Sequence, residues 1–231
     1  MKLLRIGAPG AETPAVLDGD GRMFALTGLT EDIDGAFLAS GGIDRVRQAL
    51  AEGLLPPVEE TGQRTGAPVA RPGKVVCVGL NYRDHAEETG APVPKRPVIF
   101  MKDPSTVVGP DDRVLIPRGS VKTDWEVELA VVIGREARYL ADPAAAAECI
   151  AGCAISNDVS EREFQLEHSP QWDLGKSCET FNPMGPGDVI NTGTPAGVAL
   201  GLPGTPYLRE GDTVELSIDG LGTQRQTFVN A

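Results

Sequence analysis

The stretch Asp124-Trp125-Glu126-Val127-Glu128-Leu129-Ala130-Val131-Val132-Ile133-Gly134 constrains this chain more than any other. Val, Ile, Leu and Trp dominate it and Gly134 closes it, so it reads as a β-strand. Side chains alternate along a strand, which puts Glu126 and Glu128 on one side. Beyond them both faces are apolar, the pattern of a buried strand. Two carboxylates in such a place lose their water and repel each other. They need a cation, a shared proton or a solvent-filled pocket. A hard divalent ion such as Mg²⁺, Mn²⁺ or Ca²⁺ answers that need with oxygen ligands. A pair of glutamates at an exposed strand end is the competing reading.

The formal net charge is −12 and the isoelectric point near 4.6, which argues against nucleic acid or anionic membranes as partners. No apolar run approaches membrane-spanning length, and the opening Met1-Lys2-Leu3-Leu4-Arg5-Ile6-Gly7 is too short in apolar core for a signal peptide. The four cysteines, Cys77, Cys149, Cys153 and Cys178, form no CxxC, and only His85 and His168 accompany them. Reduced thiols and a cytoplasmic location are expected, and a zinc site is not. Cys149 and Cys153 have the spacing of one helix face, where packing is the ordinary reason.

With 231 residues the chain has room for one large domain plus a small appendage. Residues 1–70 read as a small N-terminal domain and linker, and 71–231 as the main domain. A hairpin is expected over 16–24, a helix over 43–54 ended by Pro56-Pro57, and a Gly-, Thr- and Pro-rich linker over 59–73. Strands are expected at 74–80, 98–101, 114–117, 126–133, 154–157, 189–191 and 213–218, with Asp219-Gly220 turning a last hairpin into 222–229. One further helix is expected over 141–150. Long strands joined by irregular Gly- and Pro-rich loops fit an α+β, mainly β class and not a doubly wound sheet.

Asn81 to Gly90 follows the first strand of the main domain and reads as a short helix capped by Asn81 or Asp84. His85 and Glu88, three apart, then share a face, and a carboxylate beside an imidazole fixes its tautomer for work as a general base. The bland alternative is a solvated polar turn. Asp158 ends the strand through Ile155 and can complete a three-carboxylate metal site with Glu126 and Glu128, or simply cap the next segment of chain. Lys176 stands in an irregular stretch, suited to binding an anion or stabilising an oxyanion, or merely on the surface. The run Asn191 to Val198 is Gly-rich without a phosphate-loop or dinucleotide pattern, so it reads as a tight loop offering Thr194 to a ligand.

Taken together, VGLNYRDHAEETG, PVIFMKDPSTVVGP, TDWEVELAVVIG, NDVSEREFQ, QWDLGKSCETFNPMGP and GDVINTGTPAGV closely resemble the fumarylacetoacetate hydrolase family. The matches run from Val78 to the C-terminal part. SEREFQ and QWDLGKS are similar to the branch of 2,4-diketo-3-deoxy-L-fuconate hydrolase and ureidoglycolate lyase. The resemblance implies a mixed β-sandwich or β-roll behind a small N-terminal α+β domain. It implies Glu126, Glu128 and Asp158 as ligands of Mg²⁺ or Mn²⁺. His85 and Glu88 match a catalytic dyad on a mobile lid, Lys176 and Thr194 match substrate-contacting positions, and Arg162 and Gln165 match a motif beside the pocket. The activity implied is hydrolytic C–C cleavage of a small anionic 2,4-dioxo acid, of acylpyruvate type, in a homodimer. Oxaloacetate decarboxylation, ureidoglycolate cleavage and keto–enol isomerisation use the same kind of site. Two departures stand out. Glu179 occupies a place where the family usually has Asp, and Met184-Gly185-Pro186 runs directly into Gly187-Asp188-Val189 where relatives carry several dozen more residues. A shortened member that binds metal or ligand without turnover is therefore a further expectation.

Overall fold

The computed structural model describes residues 1–59, 62–184 and 188–231, with the backbone alone described at Asp188 and Val189. The proposed junction between Pro186 and Gly187 lies outside the described residues. None of the helices described is long and apolar enough to cross a membrane.

In the N-terminal unit, strands Lys2–Ile6, Thr13–Leu17 and Met23–Ala25 form an antiparallel sheet in that order. The hairpin expected over 16–24 is its second turn; the first strand escaped the sequence reading. Helices Gly35–Ala39 and Gly42–Ala51 cover it. Asp34 caps the first helix, its carboxylate accepting the Phe37 N–H at 2.8 Å. Val16, Leu26, Ile33, Phe37, Val46 and Leu55 close the core. The second helix is shorter than the 43–54 expected. Gly53 takes φ +66°, its N–H bonds Leu50, and the Leu54 N–H bonds Ala49 at 2.9 Å. That is a Schellman end, which a periodicity count cannot see. It leaves Leu54 68% exposed and buries Leu55 instead.

The main sheet runs Ile150–Asn157, Val127–Ile133, Asp188–Asn191, Val75–Gly79, Val98–Lys102 in spatial order. All neighbours are antiparallel except Asp188–Asn191 and Val75–Gly79, which are parallel. Val132 carries the sheet into the N-terminal core, and Val75, Cys77, Phe100, Ala130, Ala154 and Met184 pack together on it. A second, three-stranded sheet joins Thr213–Ile218, Gly222–Asn230 and Val114–Ile116. Its hairpin turns at Gly220, φ +81°, as Asp219-Gly220 predicts. Phe181 and Phe228 anchor the core between this sheet and Ile155. Mostly strand with short helices, the architecture is the expected mainly-β α+β class.

The helix expected over 141–150 is only Pro143–Ala147, capped by Asp142. Pairing explains the loss: Ile150 enters the sheet opposite Ile133. Cys153 therefore lies on a strand and does not share a helix face with Cys149.

Arg64 links the two units. Its guanidinium grips Asp112 at 2.6 and 2.5 Å and Glu12 at 2.9 Å, while Arg5 bridges Glu12 and Asp32. Burial opposes ionisation of Glu12, yet the Arg64 hydrogen bond and Arg5 hold its carboxyl below the usual range.

Candidate metal and acid–base site

Register alone assembles the acidic cluster. Glu128 lies opposite Ser156 and Val127 opposite Asn157, and the Asp158 N–H continues the ladder to the Glu126 carbonyl at 2.9 Å. Glu126 and Asp158 thus face each other, with Glu128 on the same side one diagonal step away. Glu126 sits just before the regular strand, which begins at Val127. The three carboxylates are buried, and one oxygen from each comes within 4.8 Å of the others.

Cations from other elements meet this cluster. Lys176 Nζ donates to Glu126 at 2.7 Å and to Asp158 at 3.1 Å. It ends the helix Asp173–Lys176, so the irregular stretch expected there is corrected: Gly175 packs against the backbone of Glu161 and Gln165 so closely that a Cβ would clash at 2.5 Å. Lys102 Nζ donates to Asp158 at 2.7 Å and to the Val159 carbonyl at 3.0 Å. Arg162 stands 2.8 Å from both Asp124 and Glu126. Burial disfavours charge on Glu126, but Lys176 and Arg162 hold its carboxyl below the usual range. Lys176 is held above its usual value, burial being outweighed by Asp158 and Glu126. Glu128 differs. It accepts the Gly193 N–H at 2.9 Å and has no ion pair among the described residues. Burial, then Asp158 and Glu126, push its carboxyl well above the usual range. A donor set of three hard oxygens with one carboxylate short of positive charge fits a divalent ion.

His85 lines the same cavity and is paired with Glu88. The helix Arg83–Glu88 is short, and its N-cap is Tyr82 without a side-chain bond, not Asn81 or Asp84 as expected; Asp84, in the first turn, accepts the His85 N–H, and Gly90 ends the turn at φ +68°. His85 Nδ1 meets Glu88 at 3.0 Å. A cavity of about 210 Å³ is lined by His85, Glu126, Glu128, Arg162, Gln165, Lys176 and Thr194 together. Glu88 and Asp158 do not line it: Glu88 bonds His85, and Asp158 lies within the carboxylate cluster. Gln165 takes a hydrogen bond from Arg162 at 3.0 Å. The outer wall is apolar, with Leu80, Ala91, Phe100, Leu166, Trp172 and Leu200. Phe100 and Trp172 meet edge to face at 5.4 Å, and Lys176 Nζ lies 4.9 Å from the Phe100 ring centre. A Cβ on Gly79 would strike the Trp172 indole at 2.5 Å.

Nearby thiols stay protonated. Burial pushes Cys178 up to about 11, and burial together with Asp158 pushes Cys77 higher. Neither is a ready nucleophile.

A cluster of carboxylates on paired strands, a His–Glu pair on a short helix and a buried lysine match the motifs on which the sequence resemblance rested. The family description "Fumarylacetoacetate (FAA) hydrolase C-terminal" matches residues 74–187 and 185–229. The chain belongs to the fumarylacetoacetate hydrolase family. Among relatives, a Burkholderia multivorans protein named as a hydrolase without a stated substrate is 43% identical over 280 aligned positions, covering 98% of each chain. Those positions outnumber the 231 residues here, so that relative carries stretches this chain lacks. The two matched pieces of the family description meet at 185–187, the junction where the sequence is short. A fumarylacetoacetate hydrolase from Exiguobacterium antarcticum has the same fold, with TM-score 0.81 at 28% identity over the whole of both chains. A 2-hydroxyhepta-2,4-diene-1,7-dioate isomerase from Mycobacterium marinum gives 0.70 at 28% identity over 100% of this chain and 98% of its own.

His85, Glu88, Glu126, Glu128, Asp158, Arg162, Gln165, Lys176 and Thr194 are the site residues expected from the sequence; Lys102, in PVIFMKDPSTVVGP, and Asp124, in TDWEVELAVVIG, are additions from the structure. The signal available was a charge flanked by strand-forming residues: Phe100-Met101-Lys102 and Thr123-Asp124-Trp125 carry it as plainly as Glu126 does.

Proposed function

We propose that this chain cleaves small 2,4-dioxo acids of acylpyruvate type by hydrolysis of the C3–C4 bond, giving pyruvate and a carboxylic acid, with Mg²⁺ or Mn²⁺ as cofactor. The observation that carries the reading is that His85, Glu126, Glu128 and Lys176 line one small cavity, with Asp158 in the same carboxylate cluster and Glu88 bonded to His85. Glu126, Glu128 and Asp158 would hold the ion, which supplies Lewis-acid polarisation of the substrate's 2-oxo group when bound. Glu88 fixes His85 through Nδ1, leaving Nε2 to take a proton from the water that attacks C4 and later to return it to the leaving carbon. Lys176, on the cavity wall, offsets the negative charge that develops there. The apolar wall excludes bulk water and suits a short acyl tail. Arg162 and Lys176, the two cationic residues lining the cavity, are already engaged by carboxylates, which disfavours a second substrate carboxylate.

Glu126→Ala is expected to abolish metal-dependent turnover of acetylpyruvate, followed by pyruvate release. His85→Ala is expected to keep Mn²⁺ binding and lose turnover. Parental turnover in a folded His85→Ala protein would show that the pair is not the base. Keto–enol isomerisation of a dioate is the second reading, favoured by the isomerase among the structural relatives. Product analysis with acetylpyruvate, oxaloacetate and ureidoglycolate separates hydrolysis from isomerisation, decarboxylation and lyase chemistry, and a chain that binds Mn²⁺ but turns over none of them is the non-catalytic member.

A further inference from the structure

Asp124 is fully buried, does not line the cavity and is no part of the acidic triad. Its carboxylate is nevertheless saturated with donors from three places. Oδ1 accepts the Trp125 and Ala199 N–H groups at 2.8 Å each. Oδ2 accepts Arg162 Nε at 2.8 Å and the Leu200 N–H at 3.1 Å. Ala199 and Leu200 belong to a single 3₁₀ turn, Ala199–Gly201. That turn backs directly onto Glu88: a Cβ on Gly201 would lie 2.5 Å from the Glu88 carboxyl carbon, and the Gly197 N–H reaches both Glu88 oxygens at 3.0 Å. Glu88 in turn holds His85. On its other side Asp124 holds Arg162, which stands 2.8 Å from Glu126.

We infer that Asp124 is the positioning residue that sets the His85–Glu88 pair against the carboxylate cluster: both of its oxygens hold the turn at Ala199 and Leu200, and Oδ2 holds Arg162 as well. This rests on the assignment of His85 as the base. The two halves of the site come from segments far apart in the chain, and a base displaced by about 1 Å loses on the order of 10²-fold in rate. A carboxylate is required because every group facing it is a donor. Asn at 124 would keep one acceptor and aim an N–H₂ at another N–H or at the guanidinium.

The test compares the full-length parent with Asp124→Asn. The chain has only two histidines, so ¹⁵N signals of the His85 imidazole are readily told from those of His168. The parent is expected to show the His85 Nδ1 proton protected by Glu88. Asp124→Asn is expected to lose that protection, to speed exchange of the Gly197, Ala199 and Leu200 amides about 10-fold or more, and to leave His168 unchanged. With acetylpyruvate as probe, kcat is expected to fall about 10-fold or more with KM changed less, inside the range a positioned base contributes. On a Glu88→Gln background the same change should add little. Ala199→Pro gives a second route should Asp124→Asn not fold. It deletes one donor to Asp124 at the first residue of the 3₁₀ turn, after an extended Val198 with ψ 155°, where proline is tolerated. It should loosen the same amides and imidazole. Unchanged His85 signals in a folded variant, or losses that multiply fully with Glu88→Gln, would overturn the inference. An inert parent toward acetylpyruvate would instead overturn the proposed function, because the imidazole and amide readouts need no substrate.

Discussion

The N-terminal core and the surroundings of the carboxylate cluster are equally buried and differently filled. Val16, Leu26, Ile33 and Val46 close the first without a charge among them, and the Arg5, Glu12, Arg64 network stays at its rim. The second holds Lys102, Asp124, Glu126, Glu128, Asp158, Arg162 and Lys176 within the fold. Packing apolar groups is the cheaper way to stabilise a domain, since desolvating ions consumes most of what their attraction returns.

That contrast breaks most readily at Lys102. Lys102→Met leaves Asp158 without the ammonium on Oδ1, and urea unfolding should show a loss of about 3–5 kcal/mol, relieved in part by Mn²⁺. Leu26→Ala, in the other core, is expected to cost a comparable 2–5 kcal/mol from the cavity it leaves, with no relief by Mn²⁺ beyond the parent's. Equal relief in both would erase the distinction. Next comes Glu128. Its raised carboxyl pKa means a contribution to stability that is complete below the unfolded value and lost as pH rises through the folded one, so ionising Glu128 opposes folding until a cation arrives. Mn²⁺ at 100-fold over its Kd should stabilise the parent by about 2.7 kcal/mol and Glu128→Gln hardly at all, the metal-free variant being the more stable above the carboxylate range. The smallest effect is at the rim. Glu12, held below its usual pKa, stabilises above the unfolded value of 4.5 and loses that contribution as pH falls through the lower folded one. Glu12→Gln should flatten that acid limb of a thermal-melt profile, by about 1 kcal/mol or less, without touching turnover.

Strands were the legible part of this chain because runs of β-branched and apolar residues bounded by turn residues mark them. Alternation along one run gives the Glu126/Glu128 face, and turn chemistry gives the Asp219-Gly220 hairpin. Helix lengths were less legible: Gly53 stops one helix by backbone geometry, and strand pairing at Ile150 shortens another. Lys102 and Asp124 lie inside motifs and among strand-forming residues, but nothing local says which groups they will meet. Their roles exist only after strands distant in sequence are brought together, which is why one turned up as a clamp on Asp158 and the other as a hub for two loops.

Gly79 has the last consequence. With the Trp172 indole resting where its side chain would be, the width of the cavity at that wall is set by a missing methyl. Any lineage of this protein that must admit a bulkier or slimmer molecule has its freedom in the ring at 172, while position 79 stays bound to a hydrogen atom.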